Sequence, residues 1–201
     1  MKDSCDHAPR SNPFSTRFVR PGAVPYLFAP GQSADGLVRR LAGLGWRGQI
    51  IGPHGSGKST LLAALAEPLA RAGRRSWTVS LHDGARRLPA GWIRQAQRAG
   101  ANQIVVDGYE QLSALNRFFV KAQCRWRGWG LLASAHGDVG FPTLLLTASD
   151  PATAQALVRR LLSGEDGPIT PELVAQCFAA RGGNVRETLF ALYDRWRAPR
   201  G

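Results

Sequence analysis

The chain has 201 residues, 44% hydrophobic and 20% charged, a globular balance that suits one compact domain with an appendage. Its formal net charge is +12, almost wholly from arginine, since Lys2, Lys58 and Lys121 are the only lysines; a partner such as DNA or an acidic protein would account for the bias, and so would an arginine-rich composition. No run of about 18 apolar residues offers a membrane span, Met1 to Arg20 lacks the apolar stretch of a secretion signal, and Cys5, Cys124 and Cys177, without metal-type spacing, fit a reducing cytoplasm.

Residues 1–33 carry Pro9, Pro13, Pro21, Pro25 and Pro30 with little periodicity, which predicts an extended arm, disordered at its start. Some of its aromatics Phe14, Phe18, Tyr26 and Phe28 are expected to cover an exposed flank of the core, the alternative being a place beside a bound ligand. Ala34 to Leu44 reads as a helix stopped at Gly43 or Gly45, and Trp46 to Ile51 as a short apolar strand.

Next comes Gly52-Pro53-His54-Gly55-Ser56-Gly57-Lys58-Ser59-Thr60, which fits G-x-x-x-x-G-K-[ST]. Glycines at 52, 55 and 57 let backbone N–H groups converge on phosphate oxygens. Lys58 would reach the β- and γ-phosphates, and the Ser59 hydroxyl would ligate Mg²⁺. The motif has meaning only between a strand and a helix, and Leu61, Leu65 and Leu69 provide the helix by recurring every four residues. Pro68 is expected to kink that helix, because its ring meets the carbonyl of Ala64.

Beyond Gly73 the pattern alternates. Strands are expected at Ser76 to Leu81, Gln103 to Asp107, Trp129 to Ser134 and Thr143 to Thr147, with helices over Arg87 to Arg98 and Leu112 to Arg127. Strands that alternate with helices imply a parallel sheet flanked by helices, an α/β core over 34–150. Residues 151–201 then read as a small all-helical subdomain, with Asp150-Pro151 and Thr170-Pro171 as helix starts. Asn184 opens the third helix with Glu187 three residues on, and Val185, Leu189, Leu192 and Trp196 share one face.

Ile104-Val105-Val106-Asp107 has the form of an apolar strand ending in an acid, so Asp107 would hold Mg²⁺ beside the phosphate loop. Hydrolysis also needs a group to orient or deprotonate water. Glu110 is the next acid, and it could instead serve the N-terminus of the following helix. Ser134 and His136, after the fourth strand, are candidates to contact the water, and Thr147 reads as structural.

Gly182-Gly183-Asn184-Val185-Arg186-Glu187 resembles the sensor-2 motif of the AAA+ ATPases. With the phosphate loop and the Asp107 strand, the resemblance covers about residues 34–198 and implies a P-loop NTPase core with a helical lid. It also implies that Arg186 reaches the γ-phosphate and couples nucleotide state to lid angle. Two departures stand out: Gly108 occupies the place where many such ATPases carry Glu, and no arginine finger is identifiable, although Arg125 and Arg127 are candidates. The resemblance thus implies an Mg²⁺-dependent ATPase, with ATP preferred because no guanine-reading N-K-x-D motif is present. A homo-oligomer or another partner would supply the finger. A small P-loop kinase is the second reading, disfavoured by an uninterrupted αβ pattern. The third is a nucleotide-gated adaptor that grips DNA through Arg117, Lys121, Arg125, Trp126 and Arg127.

Overall fold

In the computed structural model, which describes residues 12–15, 24–82, 84–162 and 169–197, five short strands form one fully parallel sheet. They are β1 (Arg47–Ile51), β2 (Ser76–Ser80), β3 (Gln103–Asp107), β4 (Gly130–Ala135) and β5 (Thr143–Leu146), in the order β2-β3-β4-β1-β5. The helices are α1 (Ala34–Gly43), α2 (Lys58–Arg71), α3 (Trp92–Arg98), α4 (Ala114–Trp126), α5 (Pro151–Leu162), α6 (Pro171–Ala180) and α7 (Val185–Arg197).

Period-2 alternation sends the central strands' side chains into two separate cores. Ile104, Val106, Leu131 and Ala133 face α3 and α4, where Trp92, Ala96, Val120 and Cys124 close over them. Val105, Leu132, Ile50 and Leu144 face α1 and α2, which contribute Leu37, Leu41, Leu61 and Leu65. Ser33 starts α1 by accepting from the Gly36 N–H at 3.1 Å, and Ser113 starts α4 by accepting from Asn116 at 3.4 Å.

Two elements differ from expectation. The helix expected from Arg87 begins only at Trp92, because Pro89 lacks a donor and Gly91 sits at φ 71°. The helix expected from Leu112 begins at Ala114, after a separate 3₁₀ turn at Tyr109–Gln111. Helix α2 holds Pro68 within its last turn and runs to Arg71.

The chain divides into two compact units: residues 25–148, and residues 149 onward together with those up to Val24. In the second unit Asp150, Thr170 and Asn184 cap α5, α6 and α7, accepting from Thr153, Leu173 and Glu187 N–H groups at 2.6, 3.3 and 3.2 Å. Its core joins Ala154, Val158, Val174, Phe178, Leu189 and Leu192 to Phe14, which is fully buried and edge-on to Trp196. Asn12 ties in too, donating from Nδ2 to the Tyr193 carbonyl at 3.0 Å. Tyr26 and Phe28 instead pack on the αβ unit. Expectations for the start of the arm, Cys5 and Phe18 lie outside the described residues.

Candidate nucleotide site

Strand order decides which loops meet. Because β1 lies between β4 and β5, the loop that leaves its C-terminal end has the ends of both strands as neighbours. Gly52 N–H donates to the Ala135 carbonyl at 3.2 Å, and Thr147 N–H donates to Ile51 at 2.7 Å. The 52–60 motif therefore sits between a strand and α2, with α2 starting at Lys58 directly from Gly57.

The glycines of the loop do different jobs. Gly55 and Gly57 have φ of 72° and 86°, which side-chain-bearing residues rarely adopt. Gly52 is needed for space: a Cβ there would stand 2.1 Å from Thr147 Oγ1, 2.5 Å from the Thr147 carbonyl and 2.7 Å from Ser56 Oγ. Thr147 is thus a brace, its hydroxyl 2.7 Å from that of Ser56. Gly52→Ala is expected to lower stability by about 2–3 kcal/mol through overpacking, as measured by chemical denaturation, because both neighbours are held by further hydrogen bonds to the loop and to β1.

Lys58 is buried, and its Nζ donates to the carbonyls of Gly52 and Pro53, each at 2.7 Å. Burial pushes its ammonium below the ordinary lysine range, while Glu110 and then Asp107 pull the other way. Ser59 and Thr60 are half-buried in the first turn of α2, and among the described residues the Ser59 hydroxyl has no partner. The Tyr26 ring lies 3.3 Å from the point where a Gly57 Cβ would project, which puts one aromatic of the arm against this loop.

Asp107 ends β3, which does not touch β1; β4 runs between them. Ser134 of β4 closes that gap. Fully buried, it donates from Oγ to Asp107 Oδ1 in a short hydrogen bond and accepts from the Gly108 N–H at 3.0 Å. Its hydroxyl orients Asp107, while His136, the other candidate to contact water, follows the end of β4. The absence of Glu at 108 also has a cause. Gly108 adopts φ 79°, and a Cβ there would lie 2.8 Å from the Leu81 carbonyl.

That turn curls the chain so that Glu110 comes back to the sheet edge. Its Oε1 accepts from His136 Nδ1 at 2.8 Å, while Oε2 is buried without a partner. Glu110 lies on the 3₁₀ turn rather than in α4, and its carboxylate is occupied by His136 rather than by the helix N-terminus. The His136 ring in turn lies against His54 of the loop, with centroids 3.7 Å apart and planes at 43°. Burial and the Lys58 charge hold His136 below its ordinary 6.5, although Glu110 opposes them. The chain His54–His136–Glu110 was not legible in the sequence, where the three residues stand far apart with no motif linking them.

Arg186 belongs to the helical unit. It is exposed in the first turn of α7, its guanidinium 5.8 Å from the Phe190 ring, with no carboxylate partner among the described residues. Arg125 and Arg127 close α4 just before β4 begins, at the sheet edge opposite the loop. Among the described residues, no cluster of three His, Cys, Asp or Glu side chains could hold a metal, and no helix is long and apolar enough to cross a membrane.

No family model and no curated protein matches the chain. Solved structures do. The replication initiator DnaA bound to AMPPCP and single-stranded DNA superposes with a TM-score of 0.55 at 16% identity, over 85% of this chain and 62% of that one. AMPPCP-bound DnaA from Aquifex aeolicus gives 0.56 at 17% identity, over 85% and 64%. Domain III of DnaA from Thermotoga maritima gives 0.54 at 12%, over 86% and 95%. The chain spans less than two thirds of the first two, so the likeness is to part of those proteins. At such identities it shows fold alone, a five-stranded parallel αβ core followed by C-terminal helices, as in domain III of DnaA.

Proposed function

We propose that the chain binds ATP with Mg²⁺ at the 52–60 loop, hydrolyses it, and couples nucleotide state to movement of its helical lid. The observation that carries this reading is Glu110. Its carboxylate is oriented by His136, leaves Oε2 buried and unpaired, and shares the sheet edge with Lys58 and Asp107. An orphaned buried acceptor is costly unless something donates to it, and a nucleophilic water is such a donor.

The residues fit Mg²⁺-ATP. The loop offers backbone N–H groups at the start of α2, a lysine, and a serine hydroxyl free to ligate. When bound, Mg²⁺-ATP supplies the scissile phosphoanhydride and a metal that neutralises charge on it. Lys58 would exchange its loop carbonyls for phosphate oxygens, and Gly55, Ser56 and Gly57 would present N–H groups. Ser59 and Asp107 would hold the metal, with Ser134 fixing the Asp107 carboxylate. Glu110 Oε2 would accept the proton of the attacking water. Arg186, by resemblance, would sense the γ-phosphate.

The test is Mg²⁺-ATP binding and phosphate release by the full chain, with and without DNA. Turnover supports the ATPase reading, and binding without turnover leaves a nucleotide switch, which the glycine at 108 makes the specific alternative. The pH profile adds a second check. Neutral His136 donates from Nδ1 to Glu110, whereas protonated His136 would hold the carboxylate as an ion pair and oppose proton uptake. Because its value lies below 6.5, turnover should hold through neutral pH and fall by about tenfold in the acid limb below that value. His136→Gln should displace that limb in a plot of kcat against pH.

A further inference from the structure

Helix α4 is apolar on the wrong side. Val120 and Cys124 face the core, yet Leu115, Phe118 and Trp126 are 80%, 73% and 77% exposed. With Phe119 and Ala122 they recur at spacings of three and four, so they form an outward stripe about 100° wide and about 16 Å long. Surface helices place charge on that face, and a continuous apolar patch marks an interaction site.

The stripe borders a groove. Between α3 and α4 lies a cavity of about 500 Å³ whose apolar lining includes Leu88, Ile93, Phe119 and Val120 and whose charged lining is Arg87, Arg94 and Arg127. A second cavity of about 580 Å³ continues it through Gln97 and Arg127, alongside Trp126 and Trp129. None of Arg87, Arg94, Arg125 and Arg127 has a carboxylate partner among the described residues. Two of the four cations that would let α4 grip phosphates point elsewhere. Lys121 donates to the Val139 carbonyl at 3.0 Å, and Arg117 donates to the Leu112 and Glu110 carbonyls.

We propose that the outward face of α4 and the α3–α4 groove dock an acidic amphipathic helix of another protein. The three-and-four spacing and the length of the stripe match one helix laid along another. Unpaired arginines on both flanks call for Asp and Glu on the partner's rim. A second copy of this chain would bring +12 against +12. No segment outside the described residues joins acidic charge to an apolar repeat: 163–168 is acidic but has no large apolar side chain, and 16–23 is basic. A flat bilayer would leave the groove unfilled.

The test pans a phage-displayed library of random peptides of about 16 residues, long enough to run the length of α4, on the immobilised full chain. A Leu115→Ser/Phe118→Ser/Trp126→Ser variant is the counter-screen; all three side chains are exposed, so its thermal midpoint should stay near that of the parent. Selected peptides should be net acidic with apolar residues at helical spacing, and the variant should bind them at least about tenfold more weakly. Arg94→Glu should weaken them as well. Lys58→Ala should bind them unchanged, which separates this surface from the nucleotide reading. The proposal is overturned by an absence of binders, by binders that are basic or indifferent to the variant, or by a stripe-dependent capture of anionic vesicles or oligothymidylate instead. Stripe-dependent self-association in sedimentation would overturn it equally.

Discussion

Lys58→Ala should abolish turnover and weaken Mg²⁺-ATP binding by about 10²–10³-fold, the worth of one or two charge-assisted hydrogen bonds in a partly buried site. The ammonium is already oriented, since its two acceptors are carbonyls of the loop that would surround the phosphates. Binding therefore exchanges neutral acceptors for anionic ones, and the burial that disfavours the free cation is repaid by phosphate charge. Stability should change little, because the mutation removes a desolvated charge along with its two hydrogen bonds. Isothermal titration calorimetry beside a thermal melt distinguishes the outcomes. Unchanged affinity in a folded variant would remove the loop as the phosphate cradle. Lost affinity with a collapsed melt would say only that Lys58 holds the loop together, and Lys58→Met, which keeps the stem, then decides.

The loop was legible because its chemistry is local. Three glycines, a lysine and a serine at fixed spacing, entered from Ile50-Ile51 and left through Leu61 and Leu65, identify strand, turn and helix without knowledge of what packs nearby. The place of Asp107 beside the loop could be read from the form of its strand, but what bridges the two could not. That link runs through β4, and only strand order reveals that Ser134 fills the gap between β3 and β1. Ser134 read from sequence as a group that could meet water, whereas the fold spends its hydroxyl on Asp107.

Helix α4 shows a different limit. In the sequence its charges offer a basic surface to DNA, but periodicity finds a face without saying which way it points. Two of its cations turn back onto carbonyls of the chain, and the side left outward is apolar. Phe14 makes the same point for the arm: no repeat marks it, yet it is sealed into the helical unit beside Trp196.

Glu110→Gln is the substitution that separates catalysis from binding. Glutamine keeps the volume and still offers an oxygen to His136 Nδ1, so the 3₁₀ turn and the His54–His136 contact should survive. What it removes is the negative charge and the ability to take a proton at Oε2. Turnover should fall by about 10²–10⁴-fold, the usual contribution of a positioned general base. Affinity for Mg²⁺-ATP should hold or rise, since one anion fewer faces the phosphates and Lys58 loses its strongest opposing charge. Asp107→Asn should behave differently, losing Mg²⁺-dependent affinity together with turnover. Single-turnover phosphate release on pre-bound ATP reads the first effect, and nucleotide titration with and without Mg²⁺ reads the second. Wild-type turnover in Glu110→Gln would move the base elsewhere and leave the His136 pair as a structural contact. A variant that holds ATP uncleaved would make Glu110 the residue that compensates for the glycine at 108, placed two positions further along by the turn that glycine permits.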